Sequence, residues 1–278
     1  MNKKAFIYTI TAFLLLSGAL MSSIAYSNNN LRYFELALAS FSADKINFVM
    51  DDVTDHIYQD LILFEVKDMT IYPTASFRMN LTGLSQTRNY SSIFNEYEDF
   101  IEEYYSLHNN VDVELIGFNN SFTISPFELD VVVDLGSFMI SGDGIASVSS
   151  VTLVLFLNDT SLNISSMNPS GNGGCAVDVQ IKHPTGGTHM GADLDPMIEN
   201  DPFSIGFASG ANVSVSFGKH MEKPMLLVEG FDLSVDILDL RIDLASPVDG
   251  IEIVGGNVTI ISPMGQFSKE GAIIIAEK

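Results

Sequence analysis

The uncharged run from Ala5 to Tyr26 (AFIYTITAFLLLSGALMSSIAY), preceded by Met1-Asn2-Lys3-Lys4, constrains this chain more than any other feature. Such a run stays out of water only if a core, another helix or lipid covers it. About 20 apolar residues in a helix match the hydrocarbon thickness of a bilayer. A basic start followed by an apolar run is also the pattern handed to the export machinery. The cationic end stays in the cytoplasm, so the rest of the chain is expected outside the cell. Residues 1–27 are therefore expected to be a signal or transmembrane segment, with Phe6 to Tyr26 in contact with the membrane. Ser23-Ile24-Ala25 and Ala25-Tyr26-Ser27 match a small-x-small cleavage pattern, and a cut after Ala25 or Ser27 would release a secreted protein.

From Leu31 to Leu63 there is neither Gly nor Pro. Phe34, Leu38, Phe41, Phe48, Val49, Val53, Ile57 and Leu61 recur at helical steps, with Glu35, Asp44, Lys45, Asp51, Asp52 and Asp55 mostly off that stripe. Residues 28–63 are expected to form an amphipathic helix whose Phe34, Leu38, Phe41 and Phe48 dock the head or a neighbour. Asn28-Asn29-Asn30 reads as a cleavage point or a break in the helix.

Lys4-Ala5 followed by Phe6 resembles the processing site of archaeal type IV pilin-like precursors, which are cut before the apolar run. An apolar helix that continues as an amphipathic helix into a β-rich head resembles the same family. The resemblance covers the chain up to about residue 60, and at the fifth mature position this chain has Ile10 where the family carries glutamate. It implies a mature protein that keeps its apolar run as a packing helix and self-associates into a filament.

Residues 64–278 are expected to be an extracellular β-rich head, an antiparallel β-sandwich of jelly-roll type, making the chain α+β but mainly β. Met69 and Ile71, then Phe77, Met79 and Leu81, alternate with polar residues across Pro73. Tyr90 to His108 reads as a helix with Ile93, Tyr97, Phe100, Ile101 and Tyr104 on one face and Glu96, Asp99, Glu102 and Glu103 on the other. From Val111 onward, short alternating runs such as Val151-Leu153-Leu155-Leu157 and Val213-Val215-Phe217 are separated by Gly, Asn, Ser and Pro. The glycine-rich stretch 168–195 is a candidate boundary between two sheets or two small β-domains.

Hydrophobic residues make up 46% of the chain, enough for a packed core. A net charge of −22 repels phosphate backbones, so nucleic acid is not an expected partner. Cys175 is the only cysteine, which rules out an intrachain disulfide; it is expected to be a small buried apolar side chain. Seven Asn-x-Ser/Thr sequons, at Asn80, Asn89, Asn119, Asn158, Asn163, Asn212 and Asn257, make the head a candidate glycoprotein once it is exported.

Chemistry is sparsely signalled. His183, His189, Asp193 and Asp195 are the weak metal candidates, read as loop residues of HPTGGTHMGADLD. Calcium would suit an acidic extracellular β-protein, but no EF-hand loop is present; Asp232, Asp236, Asp239 and Asp243 read as the outer face of one or two strands. There is no Gly-x-Ser-x-Gly elbow, phosphate loop or dinucleotide fingerprint, so no catalytic residue and no cofactor is assigned. The expectation is a non-enzymatic cell-surface protein, a pilin-like structural or adhesive subunit held by its N-terminal helix. The alternative is a secreted or tethered carbohydrate-binding module or hydrolase.

Overall fold

A computed structural model describes residues 3–55, 57–62, 65–81, 88–157, 165–167, 169, 173–183, 186–206, 212–220, 223–229, 235–262 and 267–278; for some of these, including 3–14 and His183, it describes the backbone alone. The chain is mainly β, with two sheets and an N-terminal helix.

Helix α1 runs without interruption from Lys3 to Thr54, 52 residues and about 78 Å. Asn28-Asn29-Asn30 lies inside it, so no break occurs there. Three Asn in place of good helix formers cost on the order of 0.5 kcal/mol each, too little to interrupt a long cooperative helix. Thr54 ends α1 with its hydroxyl donating to the Met50 carbonyl at 2.8 Å. Helix α2, Ile57–Ile62, comes directly after it. Among the described residues no helix is long and apolar enough to cross a membrane.

The strands are β1 (Glu65–Thr70), β2 (Ser76–Asn80), β3 (Asp112–Ile116), β4 (Ser121–Ser125), β5 (Leu129–Asp134) and β6 (Ser137–Ser141). They continue with β7 (Val148–Leu157), β8 (Ser165–Met167), β9 (Cys175–His183), β10 (Gly186–Leu194) and β11 (Phe203–Gly206). The last five are β12 (Asn212–His220), β13 (Lys223–Glu229), β14 (Val235–Leu244), β15 (Glu252–Ile261) and β16 (Ser268–Glu277). One sheet has the order β1-β2-β14-β7-β9-β10; the other runs β16-β15-β4-β5-β6-β13-β12-β11-β8, with β3 also on β15. Among the described residues pairing is antiparallel except between β7 and β9, which are parallel. The chain visits the other sheet as β8 between them, and so re-enters the first sheet in the same direction.

Alternation along these strands sends one set of apolar side chains inward. Phe138 and Ile140 on β6, Val213 and Val215 on β12, and Phe77 and Met79 on β2 belong to a single buried cluster drawn from both sheets and the end of α1. On β14 the inward set jumps from Ile237 to Leu240, a change of phase taken up by a bulge between Ile237 and Asp239. Cys175–His183 and Gly186–Leu194, inside the stretch expected to be a boundary, pair as antiparallel β9 and β10, and Cys175, Val177, Val179, Met190 and Leu194 join the common cluster.

The second helix keeps part of its expected face, with Ile101 buried and Ile93 and Tyr97 packed against the core. Helix α3, Tyr90–Asp99, passes into a π-helical stretch, Phe100–Tyr105, and one further α-turn, Ser106–Asn109. Each π-turn adds a residue and rotates the later part of the helix. Tyr90, Phe94, Ile101 and Ser106 are the buried set, while Phe100 and Tyr104, expected on the inner face, point outward.

Candidate functional site

Much of the exposed large apolar surface among the described residues is on α1. Only its last turns are held by the head: Ile46, Val49, Met50 and Val53 are buried against β15 and β16, and Lys269 donates to Asn47 at 2.9 Å. Between Leu15 and Lys45 no residue of the helix is buried. The stripe expected to dock is therefore divided. Val49, Val53 and Ile57 dock on the head, whereas Phe34 is 62%, Phe41 71% and Phe48 64% exposed. At 100° per residue, Val49 and Val53 lie about 100° and 140° round the helix from Phe48, so a face that satisfies the head cannot also bury the phenylalanines. Leu15, Leu16, Leu20, Met21 and Ile24 extend the apolar exposure toward the N-terminus. A helix apolar on most sides is one that something else covers.

At the base of this free helix is a cleft of about 320 Å³. Leu38, Phe41 and Ile46 supply one wall, Val111 and Phe267 the other, and Glu35 and Lys45 carry opposite charges at its rim. No local pattern signals this cleft, because Val111 and Phe267 are distant from the helix in the chain.

The attachment of the helix to the head rests on a residue that the sequence reading does not single out. Tyr58 of α2 is 1% exposed, its ring 5.1 Å from Phe94 and 5.4 Å from Phe118. Its hydroxyl accepts the Gly256 N–H at 3.0 Å, and burial pushes the phenol up to about 12. The visible signal is Gly255-Gly256 inside a strand, a mark of close approach by another group. Nearby, Tyr105 donates to Asp52, tying the π-helical stretch to α1, and burial raises that phenol as well.

Three of the four metal candidates are placed on paired strands and not in an open loop. The backbone of His183 ends β9; His189 and Asp193 lie on β10, and Asp195 comes just after it. Inward Met190 and Leu194 make this stretch a strand despite its glycines. Four residues of extended chain separate His189 from Asp193 by about 13 Å, beyond the reach of one shared ion. Among the described residues no group of three or more His, Cys, Asp or Glu is positioned to hold a metal. On β14, Asp239 pairs with Arg78, and Asp243 accepts from Arg241 at 2.9 Å and from Ser150 at 2.6 Å. Asp232 lies outside the described residues. A second hollow brings Glu102, Glu103 and Asp112 together beside Leu107, with no tyrosine in its lining, and Glu102 there accepts from the Leu115 N–H at 2.9 Å.

Cys175 is fully buried, and burial, reinforced by Asp193, pushes its thiol up to about 12. Of the sequon residues, Asn89, Asn119, Asn212 and Asn257 are exposed and Asn80 is half-buried; Asn158 and Asn163 lie outside the described residues. Asn89 caps α3, its Oδ1 accepting from the Ser92 N–H at 3.1 Å. Asn119 Oδ1 accepts from the N–H of Ser121, its own sequon serine, at 2.9 Å. Both leave the amide nitrogen, the atom a glycan would take, uncommitted to those bonds.

No family model, no curated protein and no solved structure matches this chain.

Proposed function

We propose that this is a cell-surface protein of pilin-like build, whose Phe6 to Tyr26 seats in the membrane while the remainder of α1 carries a sandwich-type β head outside the cell. The observation that carries this reading is the division of α1 itself. The head buries only residues from Ile46 onward, and between Leu15 and Lys45 many apolar side chains, Leu20, Ile24, Phe34 and Phe41 among them, are left exposed. Lipid covers such a surface along the uncharged run, and neighbouring helices cover it beyond the membrane. The role is structural or adhesive, and no catalytic residue is part of it. An acidic surface and outward sequon asparagines suit a sugar-coated exterior exposed to water.

The test is the N-terminal residue of the protein isolated from its own cells. A start at Phe6 supports pilin-type processing, with the apolar run kept as a helix. An intact Met1 supports a tethered surface protein. A start at Tyr26 or Asn28 removes the anchor and overturns the reading.

A further inference from the structure

We propose that the outward face of α3 and its π-helical extension binds an arginine-bearing segment of a partner protein, with Phe100, Tyr104 and Leu107 packing on its side chains and Glu103 and Asp112 pairing with its guanidinium groups. This gives the head a ligand chemistry and holds whether or not α1 lies in a membrane. The inner face of the helix is satisfied by Tyr90, Phe94, Ile101 and Ser106. Phe100, Tyr104 and Leu107 are left 49%, 67% and 82% exposed. They follow one another at steps of four and three, so they lie along one stripe. Glu96 precedes Phe100 by four residues and Glu103 precedes Leu107 by four, which interleaves carboxylates with the apolar groups. Glu103 and Leu107 also line the hollow that contains Glu102 and Asp112, about 350 Å³ in volume. An exposed apolar stripe rimmed by polar groups is the mark of a docking surface.

The charge around the stripe selects the partner. Between Arg88 and Lys182 the sequence contains no Lys or Arg. The ion pairs among the described residues, Arg78 with Asp239 and Arg241 with Asp243, involve none of these carboxylates. Glu98 on the same helix is held above its ordinary value, first by desolvation and then by Glu102 and Asp99, as happens where carboxylates crowd without a cation. Among the described residues no three acids are placed to hold one metal ion, so cations spaced along a side-chain ladder fit better than a single ion. Phosphates and anionic lipid are repelled. Lysine and arginine both supply the charge, but arginine also stacks on an aromatic face while its planar fork pairs with a carboxylate. Phe100 is three residues from Glu103 and four from Tyr104, so two rings and a carboxylate fall within reach of one such side chain.

The test is the affinity of the full chain, held in detergent micelles, for fluorescein-labelled tetra-arginine, read by anisotropy at a salt concentration of about 50 mM. Tetra-arginine is expected to bind more tightly than tetra-lysine. Tyr104→Ala and Glu103→Gln should each weaken its binding by about two- to five-fold. Tyr104→Phe, which keeps the ring, should bind as the unaltered chain does. Glu277→Gln removes the same charge at the far end of β15, where Glu277 pairs with Glu252 while Asp112 pairs with Ile261, and should leave the affinity unchanged. Equal binding of the two peptides, or equal loss in Glu103→Gln and Glu277→Gln, would mean diffuse attraction to an acidic protein and overturn the proposal. Unchanged affinity in Tyr104→Ala, or no binding of tetra-arginine, would overturn it as well. None of these results depends on membrane retention, so this proposal and the anchored reading fail separately.

Discussion

The ring of Tyr58 occupies the space that a side chain at position 255 would need. A Cβ on Gly255 would lie 2.1 Å from the ring, and the neighbouring Gly256 N–H donates to the Tyr58 hydroxyl at 3.0 Å. This contact joins the helical segment to the middle of β15. Gly255→Ala is expected to destabilise the protein by about 1–3 kcal/mol through forced displacement of the ring. Gly174→Ala, where nothing lies within 4 Å, should leave the urea midpoint nearly unchanged. Equal midpoints for the two variants would contradict the contact.

The same tyrosine makes stability depend on pH at the alkaline end. Below pH 10 the phenol is neutral in both the folded and unfolded chain and exerts no pH dependence. Its folded value is raised to about 12, so between pH 10 and 12 only the unfolded chain ionises and stability falls as pH rises. The loss is about 2–3 kcal/mol by pH 12. Tyr58→Phe should cost about 1–3 kcal/mol at neutral pH, since the buried Gly256 N–H loses its acceptor. It should also flatten the slope between pH 10 and 12, measured by urea unfolding at a series of pH values.

Cys175 should behave as an apolar side chain. With the thiol buried and raised to about 12, maleimide labelling at pH 7.5 is expected only as fast as the protein opens. Labelling at the rate of a free thiol in the native protein would place this residue in a different environment.

Asn89 closes the first turn of α3 with its side chain. Asn89→Ala is expected to cost about 1 kcal/mol, and Asn89→Asp, which keeps the accepting oxygen, much less. Denaturation of the unglycosylated protein separates this capping loss from any effect of a missing sugar.

Much of the head is legible in the sequence wherever one face of a strand is buried. Phe77-Met79 and Val213-Val215-Phe217 alternate visibly because each inward residue meets the same core. Gly186–Leu194 reads as loop because its glycines mask the short inward series ending at Leu194, which becomes clear only beside β9. In Tyr90–His108 the expected Ile101 is buried and Ile93 and Tyr97 pack on the core, while Phe100 and Tyr104 point outward; the five-residue step from Ile101 to the buried Ser106 is a π step that α-helical periodicity does not anticipate. The helical stripe beyond Leu31 is visible, but not the division between head-facing Val49 and free Phe48. That division depends on where β15 and β16 stand, which no local pattern records.

Leu15→Arg tests most directly whether the N-terminal apolar run holds this protein in a membrane. Leu15 is 71% exposed on α1, so the substitution disturbs no contact with the head. A charge in the middle of a spanning helix costs about 2.5–3.5 kcal/mol of insertion. Carbonate-washed membranes should retain the unaltered protein and lose the Leu15→Arg variant; equal retention of the two would contradict the anchored account.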